Sequence, residues 1–453
     1  MISQICAISI FILMFFTIIT DKIERHITTL ISGFLVFFLV FGLCMKDLNL
    51  IWSTLNFSSL TNLSFWYGHS SETISGINWS TIIFITGMMI MVEGMAKSGA
   101  FKWLCLSMAK LVKYKTIPLF ICFLFISAFL SMFIDSITVI LFLSAVTVEL
   151  SHVLKFNPVP IIIAEIFCAN LGGAATMCGD PPNIIIGTSL GLTFFDFLSN
   201  TGFIAFICFI CMLVFFLICF KKDLKSNISE DCSKIKYPEP WSVVNNKKYF
   251  IFSLIIFLLS VILLITHSFT GLTVNCIGMI VAILMLVVTG IVSKKDLKLI
   301  LKDVDWKTIL FFIGLFITVS GLEETGVLEL LAKFIGDISN GNAMVMILII
   351  LWLSALASAI VDNIPFAATM VPVIQSISTL HGIDIQTLAW TLSLGTDFGG
   401  NATPIGASAN VVGTSIAQKN GYPISWKDYC KYCIPATLIV LILSSIYLIM
   451  FYV

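Results

Sequence analysis

Three sequence blocks occur twice in this chain, and every second copy follows the first at a spacing of 227 residues. "WSTIIFITGMMIMVEGMAKSGAFKWL" from Trp79 matches "WKTILFFIGLFITVSGLEETGVLELL" from Trp306 at 10 of 26 positions. "SAFLSMFIDSI" matches "SALASAIVDNI" at 5 of 11 positions, and "GGAATMCGDPPN" matches "GGNATPIGASAN" at 6 of 12. Shared composition alone would not keep one ungapped spacing through three blocks. The chain is therefore expected to contain two copies of one structural module.

The composition places that module in a membrane. The chain is 58% hydrophobic and 11% charged, whereas soluble domains carry about 25% charged residues. Several apolar runs are long enough to cross a bilayer as helices: 2–20, 27–45, 201–220, 250–266, 272–292 and 434–453. We expect an all-α polytopic protein of the cell membrane, with the lipid bilayer as its main partner. The formal net charge is zero, which gives no indication of a nucleic acid partner.

The basic residues predict the topology. Of the 25 Lys and Arg residues, 23 fall in alternate loops, seven of them in the longest loop: Lys221, Lys222, Lys225, Lys234, Lys236, Lys247 and Lys248. The positive-inside rule places these loops in the cytoplasm and both termini outside. The two copies then have opposite orientations, provided that 116–150 and 343–380 each enter and leave the membrane on one side. Such segments would be re-entrant hairpins with the polar tips "FIDSIT" and "VDNIPF"; two full spans each would keep the same sidedness.

The third repeated block contains residues that break a helix within an apolar segment. Gly172, Gly173, Pro181 and Pro182 interrupt the first copy; Gly399, Gly400, Pro404 and Gly406 interrupt the second. Transporters built from inverted repeats bind ions near the mid-plane at broken helices, whose free N–H and C=O groups face the ligand. We therefore predict four parts: an N-terminal transmembrane helix (1–26), repeat 1 (27–220), a cytoplasmic loop with a linking helix (221–271) and repeat 2 (272–453). The repeats contain hairpins 116–150 and 343–380 and broken helices 158–190 and 386–416.

The hairpin tips and the helix breaks together form the predicted ion or substrate site. Its residues are Asp135, Ser136, Thr138, Asn170, Gly173, Thr176, Asp180, Asn183, Asp362, Asn363, Asp397, Asn401, Thr403, Ser408 and Asn410. Ionisable side chains inside a membrane are costly and tend to be functional. The alternative is that Asp135, Asp362 and Asp180 only cap the helices that follow them. The repeat is not symmetric in its acids, because Asp180 matches Ala407 and Asp397 matches Asn170.

Four motifs carry a resemblance to a known family. "VDNIPFAATMVPVI", "ANLGGAATMCGDPPNIIIG", "GGNATPIGASANVV" and "NGYPISWKDY" are similar to the ArsB/NhaD/P-protein branch of the ion transporter superfamily, which shares a citrate-transporter-like permease domain. The resemblance implies an elevator-type fold, in which a transport domain moves against a scaffold that is often dimeric. It also implies a coupling cation such as Na⁺ at Asp135, Ser136, Asp362 and Asn363. Pro404 departs from the family pattern and is expected to shift the second break.

These features predict a secondary active transporter that works by alternating access and is coupled to Na⁺ or H⁺, without another cofactor. An acid at each tip would repel a dianion, so cation/proton antiport and efflux of arsenite or antimonite are favoured over sodium-coupled uptake of citrate or a dicarboxylate. An ion channel is the alternative from another class. No catalytic motif surrounds the acids, so we do not expect an enzyme.

Overall fold

All regular structure in the described residues is helical. The computed structural model describes residues 1–20, 22–68, 76–225 and 239–453. Its first half contains α1 (Ile2–Thr20), α2 (Arg25–Leu35, continued by a π-helix Val36–Met45), α3 (Asn49–Leu55), α4 (Leu63–Trp66), α5 (Trp79–Ser98), α6 (Ala100–Leu111), α7 (Thr116–Ser131), α8 (Ser136–Leu154), α9 (Val159–Gly173), α10 (Pro181–Leu190), α11 (Phe194–Cys219) and α12 (Lys221–Lys225). Its second half contains α13 (Lys247–Thr270), α14 (Val274–Val292), α15 (Lys294–Asp303), α16 (Trp306–Glu324), α17 (Val327–Ile338), α18 (Ala343–Ile360), α19 (Asn363–His381), α20 (Ile385–Gly399), α21 (Ser408–Lys419) and α22 (Trp426–Tyr452).

Ten helices among the described residues are long and apolar enough to cross a membrane. They are α1, α2 with its continuation, α5, α8, α11, α13, α14, α15 joined to α16, α18 and α22. This confirms the predicted all-α polytopic membrane protein. Lys234 and Lys236 of the predicted cytoplasmic loop lie outside the described residues.

The helices keep the spacing of the sequence repeat. Five helices of the first half begin 227 residues before a counterpart in the second half: α5 with α16, α6 with α17, α7 with α18, α8 with α19, and α10 with α21. Helices α9 and α20 begin at Val159 and Ile385, one residue off this spacing. Equivalent sequence blocks therefore form equivalent elements.

Both helix breaks fall within the third repeated block. The first separates α9 from α10, which begins with Pro181 and Pro182. Proline suits the first turn of a helix because the backbone N–H that it lacks would have no partner within the helix there. The second separates α20 from α21 and contains a short 3₁₀ turn, Gly400–Ala402. Helix α21 begins at Ser408, the equivalent of Pro181. The expectation that Pro404 shifts the break is wrong, because Pro404 lies inside the break and the helix after it starts at the equivalent position. The local geometry does differ from that of the first break, which lacks the 3₁₀ turn.

Each hairpin packs against the broken helix of its own copy. Arm α7 lies along α9, and arm α18 lies along α20. A Cβ atom on Gly172 would lie 2.0 Å from the backbone oxygen of Ala128, and one on the equivalent Gly399 would lie 2.2 Å from the Cα of Ala355. Only glycine allows these helices to approach so closely, so the two glycines position the tips beside the breaks.

A second set of helices crosses between the two halves of the chain. Helix α5 packs against α14, and α16 packs against α2, with α13 and α1 beside them. A Cβ on Gly87 would lie 2.2 Å from the backbone oxygen of Gly278, and one on the equivalent Gly314 would lie 2.4 Å from the backbone of Thr29. We call α1, α2, α5, α13, α14 and α16 the crossing group. Helices α7–α11 and α18–α22 form the hairpin group.

Candidate functional site

The first hairpin tip is joined to the first helix break through side chains. Asp135 precedes α8 without a side-chain cap hydrogen bond, and the next residue, Ser136, donates its hydroxyl to Oδ1 of Asp180 at 2.5 Å. Asp180 precedes α10, yet its carboxylate makes no cap hydrogen bond either. The interpretation of Asp180 as a simple cap is therefore wrong, because its carboxylate binds the hairpin tip instead. The Asp135 carboxylate still interacts with the backbone N–H groups of Ile137 and Thr138 in the first turn of α8, so for Asp135 the cap interpretation stays a prediction.

The second tip is arranged differently, because its acid is fully partnered. Oδ1 of Asp362 accepts the backbone N–H of Ile364 at 3.2 Å, which caps α19. Oδ2 accepts the hydroxyl of Ser408 at 2.8 Å and forms an ion pair with the guanidinium of Arg25, the first residue of α2. Asp362 thus serves as both a cap and a charged partner.

Four of the predicted residues hold the breaks in shape through equivalent hydrogen bonds. The Asn183 amide donates to the carbonyls of Gly173 and Thr176 at 3.1 and 3.2 Å. The Asn410 amide donates to those of Gly400 and Thr403, both at 2.8 Å. The hydroxyl of Thr176 donates to the carbonyl of Met132, and the hydroxyl of Thr403 donates to that of Ala359 at 2.5 Å. The two asparagines thus satisfy backbone groups of the interrupted helices, and the two threonines satisfy carbonyls at the ends of the hairpin arms α7 and α18.

The breaks of the two copies also contact each other in the buried interior. The Asn170 amide donates to the side-chain oxygens of Asn401 and Asn410 at 2.8 and 2.9 Å. On the other side, the Ser393 hydroxyl donates to the side-chain oxygen of Asn183 at 2.6 Å. All five residues are buried. The two helix breaks therefore share one polar centre.

Some buried oxygen atoms at this centre have no hydrogen-bond partner in the described part of the chain. They include both carboxylate oxygens of Asp397, Oδ1 of Asp135 and the hydroxyl of Ser131. Asp397 and Ser131 are fully buried, and Asp180 interacts electrostatically with both Asp397 and Asp135. An unpartnered buried charge is costly. The part of the polar centre around Asp397, Asp180 and Asp135 is therefore suited to bind a proton or a cation that takes oxygen ligands.

Both acidic tips face one cavity of about 420 Å³. Its wall combines Asp135, Thr138, Asp362 and Ser408 with residues of α2, α5 and the start of α16. Acids in the wall outnumber Lys and Arg by six to two: Glu24, Glu93, Asp135, Asp303, Asp305 and Asp362, against Arg25 and Lys307. The cavity therefore favours a cation over an anion.

Acids of the cavity wall form further ion pairs. Lys307 contacts Glu24 at 2.7 Å, and Lys97 contacts Asp303 at 2.6 Å. The hydrogen bond from Lys307 lowers the pKa of Glu24, which lies between α1 and α2. Asp305 caps α16 by accepting the backbone N–H of Thr308 at 3.2 Å. Both basic residues of the wall, Arg25 and Lys307, are thus paired with acids of the wall.

Not every predicted residue reaches the cavity. The structure places Asp135, Thr138, Asp362 and Ser408 in its wall. It places the following residues in the buried network behind the wall: Ser136, Asn170, Thr176, Asp180, Asn183, Asn363, Asp397, Asn401 and Asn410. Gly173 is buried and adjoins the Asp180 carboxylate, which lies 2.5 Å from where its Cβ would be. The Thr403 hydroxyl donates to the backbone carbonyl of Ala359 on α18.

The sequence prediction missed Arg25, Ser131 and Ser393. Arg25 is the only arginine in the chain, and it lies at the start of an apolar run. That position is the sequence signal that could have identified it. Ser131 and Ser393 are small hydroxyl residues in apolar helices, and nothing in the sequence distinguishes them from helix-packing serines. In the described residues, no group of three or more His, Cys, Asp or Glu side chains could hold a metal ion.

Solved transporter structures share this fold. The YdaH transporter of Alcanivorax borkumensis matches with a TM-score of 0.58 and 16% identity, over 90% of this chain and 89% of that chain. MtrF of Neisseria gonorrhoeae, described among antimetabolite efflux pumps, matches with a TM-score of 0.61 and 12% identity, over 96% and 94%.

Sequence relatives are transporters and membrane proteins. An uncharacterized transporter of Mycobacterium tuberculosis is 32% identical over 86% of this chain and 89% of its own length. The 46 kDa membrane protein of Mycobacterium leprae is 30% identical over 98% of both chains. The human P protein is 27% identical over 84% of this chain and 54% of its own length.

Fold, site and relatives together define a polytopic membrane transporter. The family described as Citrate transporter matches residues 14–395, and the chain belongs to this citrate transporter (CitMHS) family. The predicted resemblance to the branch that contains the P protein is confirmed.

Proposed function

We propose that the protein is a secondary active transporter that exchanges an inorganic cation for protons by alternating access. The observation that carries this proposal is the single cavity faced by both acidic hairpin tips, in a wall where acids outnumber bases. Such a wall concentrates cations and repels anions. The unpartnered oxygens of Asp397 and Asp135 supply groups that bind either a cation or a proton.

The division into two helix groups supports alternating access. When a cation or proton neutralises the acids of the tips and breaks, moving the hairpin group through the bilayer costs less, because a neutral site is cheaper to carry past lipid than a charged one. The hairpin group then slides against the crossing group, and the site opens on the other face. The resemblance implies that the crossing group forms the scaffold of a homodimer.

The cavity wall supports an orientation. It includes Asp303, Asp305 and Lys307, which adjoin the lysine-rich helix α15. The positive-inside rule places this region in the cytoplasm and both termini outside. In this orientation we infer that the cavity opens towards the cytoplasm.

Uptake of citrate is a second candidate, favoured by the family match and by Arg25 in the cavity wall. A guanidinium binds a carboxylate in a bidentate manner. A carboxylate substrate would have to displace Asp362 from Arg25, and it would meet the remaining acids of the wall.

Flux measurements in proteoliposomes separate these functions. Imposed Na⁺ and pH gradients are applied alone and with citrate or arsenite. Exchange of Na⁺ or another inorganic cation against H⁺, without either added substrate, supports the proposal. Flux that requires citrate favours uptake, and flux that requires arsenite favours efflux. Rapid cation flux without stoichiometric coupling would show a channel instead.

A further inference from the structure

The two hairpin tips differ in one respect that the repeat does not predict: among the described residues, only the acid of the second tip is paired with a basic side chain. Arg25 pairs with Asp362, whose side chain is 3% exposed. We propose that Arg25 is a tethered cation that fills the cation site at the second tip in the state seen here, so that in this state the mobile coupling cation binds only at the first tip. This inference rests on the proposed function, because it specifies how many coupling cations the site takes.

The crossing helices show why the first tip has no such residue. Gly278 of α14 meets Gly87, and Thr29 of α2 meets the equivalent Gly314, so Gly278 and Thr29 are structural counterparts. The same offset of 249 residues (278 − 29) relates Arg25, the first residue of α2, to Val274, the first residue of α14. A valine therefore occupies the position on α14 that is equivalent to Arg25 on α2.

The charges around the tips agree with this difference. Beside the first tip, Asp135, Asp180 and Asp397 interact, and three of their six carboxylate oxygens have no hydrogen-bond partner in the described residues. At the second tip, Ala407 and Asn170 replace Asp180 and Asp397, and Asp362 is satisfied by Arg25, Ser408 and Ile364. The first tip thus has an excess of acid that needs a cation from solution, whereas the second is balanced internally.

The Arg25–Asp362 pair also joins the two helix groups, because Arg25 lies on α2 and Asp362 on the second hairpin. Arg25 remains on the crossing group when the hairpin group moves. A cation held by the first tip travels with the hairpin group, whereas a tethered guanidinium does not. The second tip therefore needs no ion from solution in the state seen here.

Thermal stability of the purified full chain tests the inference without requiring transport. Melting temperatures are measured over a series of Na⁺ concentrations at constant ionic strength and, separately, over a series of pH values. The variants are Arg25→Gln, Arg25→Lys, Asp362→Asn and Arg25→Gln/Asp362→Asn.

Arg25→Gln should melt lower than the wild type and should gain an additional stabilisation by Na⁺ or by acid, because Asp362 then takes a cation or proton from solution. The double variant should lose that additional stabilisation, and Arg25→Lys, which keeps a tethered charge, should respond as the wild type does.

Direct binding of radioactive Na⁺ provides the second readout where Na⁺ is the stabilising cation. The wild type should bind one ion, Arg25→Gln two, and the double variant one. The inference is overturned if neither Na⁺ nor acid stabilises Arg25→Gln more than the wild type, or if the double variant keeps the additional stabilisation. A protein that shows the predicted stability pattern but no coupled flux in proteoliposomes would refute the proposed function and leave the role of Arg25 intact.

Discussion

Asp397 and Asn170 occupy equivalent positions in the two copies but meet different partners. Asn170 donates its amide to Asn410, and the equivalent of Asn410 is Asn183, whose side-chain oxygen already accepts from Ser393. An ionised Asp397 has no hydrogen to donate to that oxygen, so it cannot make the bond that Asn170 makes, and the Asn183 amide acts on its charge from beyond hydrogen-bond distance. A proton or a bound cation at Asp397 would supply the missing positive partner, which makes this acid the prime candidate for coupling.

The variant Asp397→Asn should therefore stay folded and lose coupling. Its amide can donate to Asn183 as Asn170 does to Asn410, so the melting temperature should equal or exceed that of the wild type. Coupled flux should lose its dependence on pH and Na⁺. Flux with unchanged pH and Na⁺ dependence would contradict this assignment.

The reverse change, Asn170→Asp, is the matched control. It removes two donated hydrogen bonds and adds a buried acid. At about 1 kcal/mol for each bond, it should destabilise the fold by roughly 2 kcal/mol, seen as a lower melting temperature. An equal effect of both variants would show that the asymmetry between the copies has no consequence.

Asn183 and Asn410 have a different role, because each amide binds two carbonyls of a helix break. Replacing either residue by alanine removes two hydrogen bonds. The carbonyls of Gly173, Thr176 and Gly400 are then left unpaired, at about 1–3 kcal/mol each, whereas the Thr403 carbonyl keeps the backbone N–H of Gly406. Both variants should lower the melting temperature strongly. Asn420→Ala is the control, since Asn420 is exposed and its amide donates to a single carbonyl near the surface; it should change the melting temperature little.

At the scale of the elements, glycines determine how closely the helices approach. Gly172 and Gly399 lie where the broken helices cross the first hairpin arms, and Gly87 and Gly314 lie where the crossing helices meet. In each case the nearest atoms belong to the partner's backbone, which cannot move aside as a side chain can. These four positions therefore fix the placement of the tips and of the crossing group.

Gly172→Ala and Gly399→Ala should consequently destabilise the protein. Overpacking a tight contact costs about 1–3 kcal/mol or more, and a tip displaced from its break should also lose coupled flux. Gly290→Ala is the control, because its Cβ would lie 3.5 Å from Leu297 in ordinary contact and alanine favours helix by about 1 kcal/mol. Melting temperatures and flux are compared for the three variants. Equal stability of all three would refute a role for the glycines in close packing.

The elements that the sequence predicted well are those with strong local patterns. Helix-breaking glycines and prolines predicted both breaks, and polar tips between apolar arms predicted both hairpins, which end at Leu154 and His381, beyond the predicted 150 and 380. The contact of Arg25 with Asp362 joins residues 337 positions apart, and no local pattern links them. The same holds for Ser393 and Asn183, because long-range pairing depends on how the two copies pack.

At the scale of the whole molecule, hydroxyl contacts occur both between and within the two helix groups. The hydroxyls of Thr81 on α5 and Thr188 on α10 lie 2.6 Å apart and join the crossing group to the hairpin group. The hydroxyls of Ser98 on α5 and Ser253 on α13 lie 2.8 Å apart, both within the crossing group. The two contacts are alike in chemistry and differ in whether the proposed movement must break them.

Paired cysteines at these positions test the movement directly. In a background without native cysteines, Thr81→Cys/Thr188→Cys should form a disulfide on oxidation, since the side chains are close enough, and coupled flux should stop until the bond is reduced. The variant Ser98→Cys/Ser253→Cys should form its disulfide and retain coupled flux. Its two cysteines lie on α5 and α13, which both belong to the crossing group and do not move relative to each other in the proposed movement. Transport that survives the first disulfide would exclude sliding of the hairpin group. Transport that stops with both would show that the bundle needs general flexibility rather than a rigid movement of one group against the other.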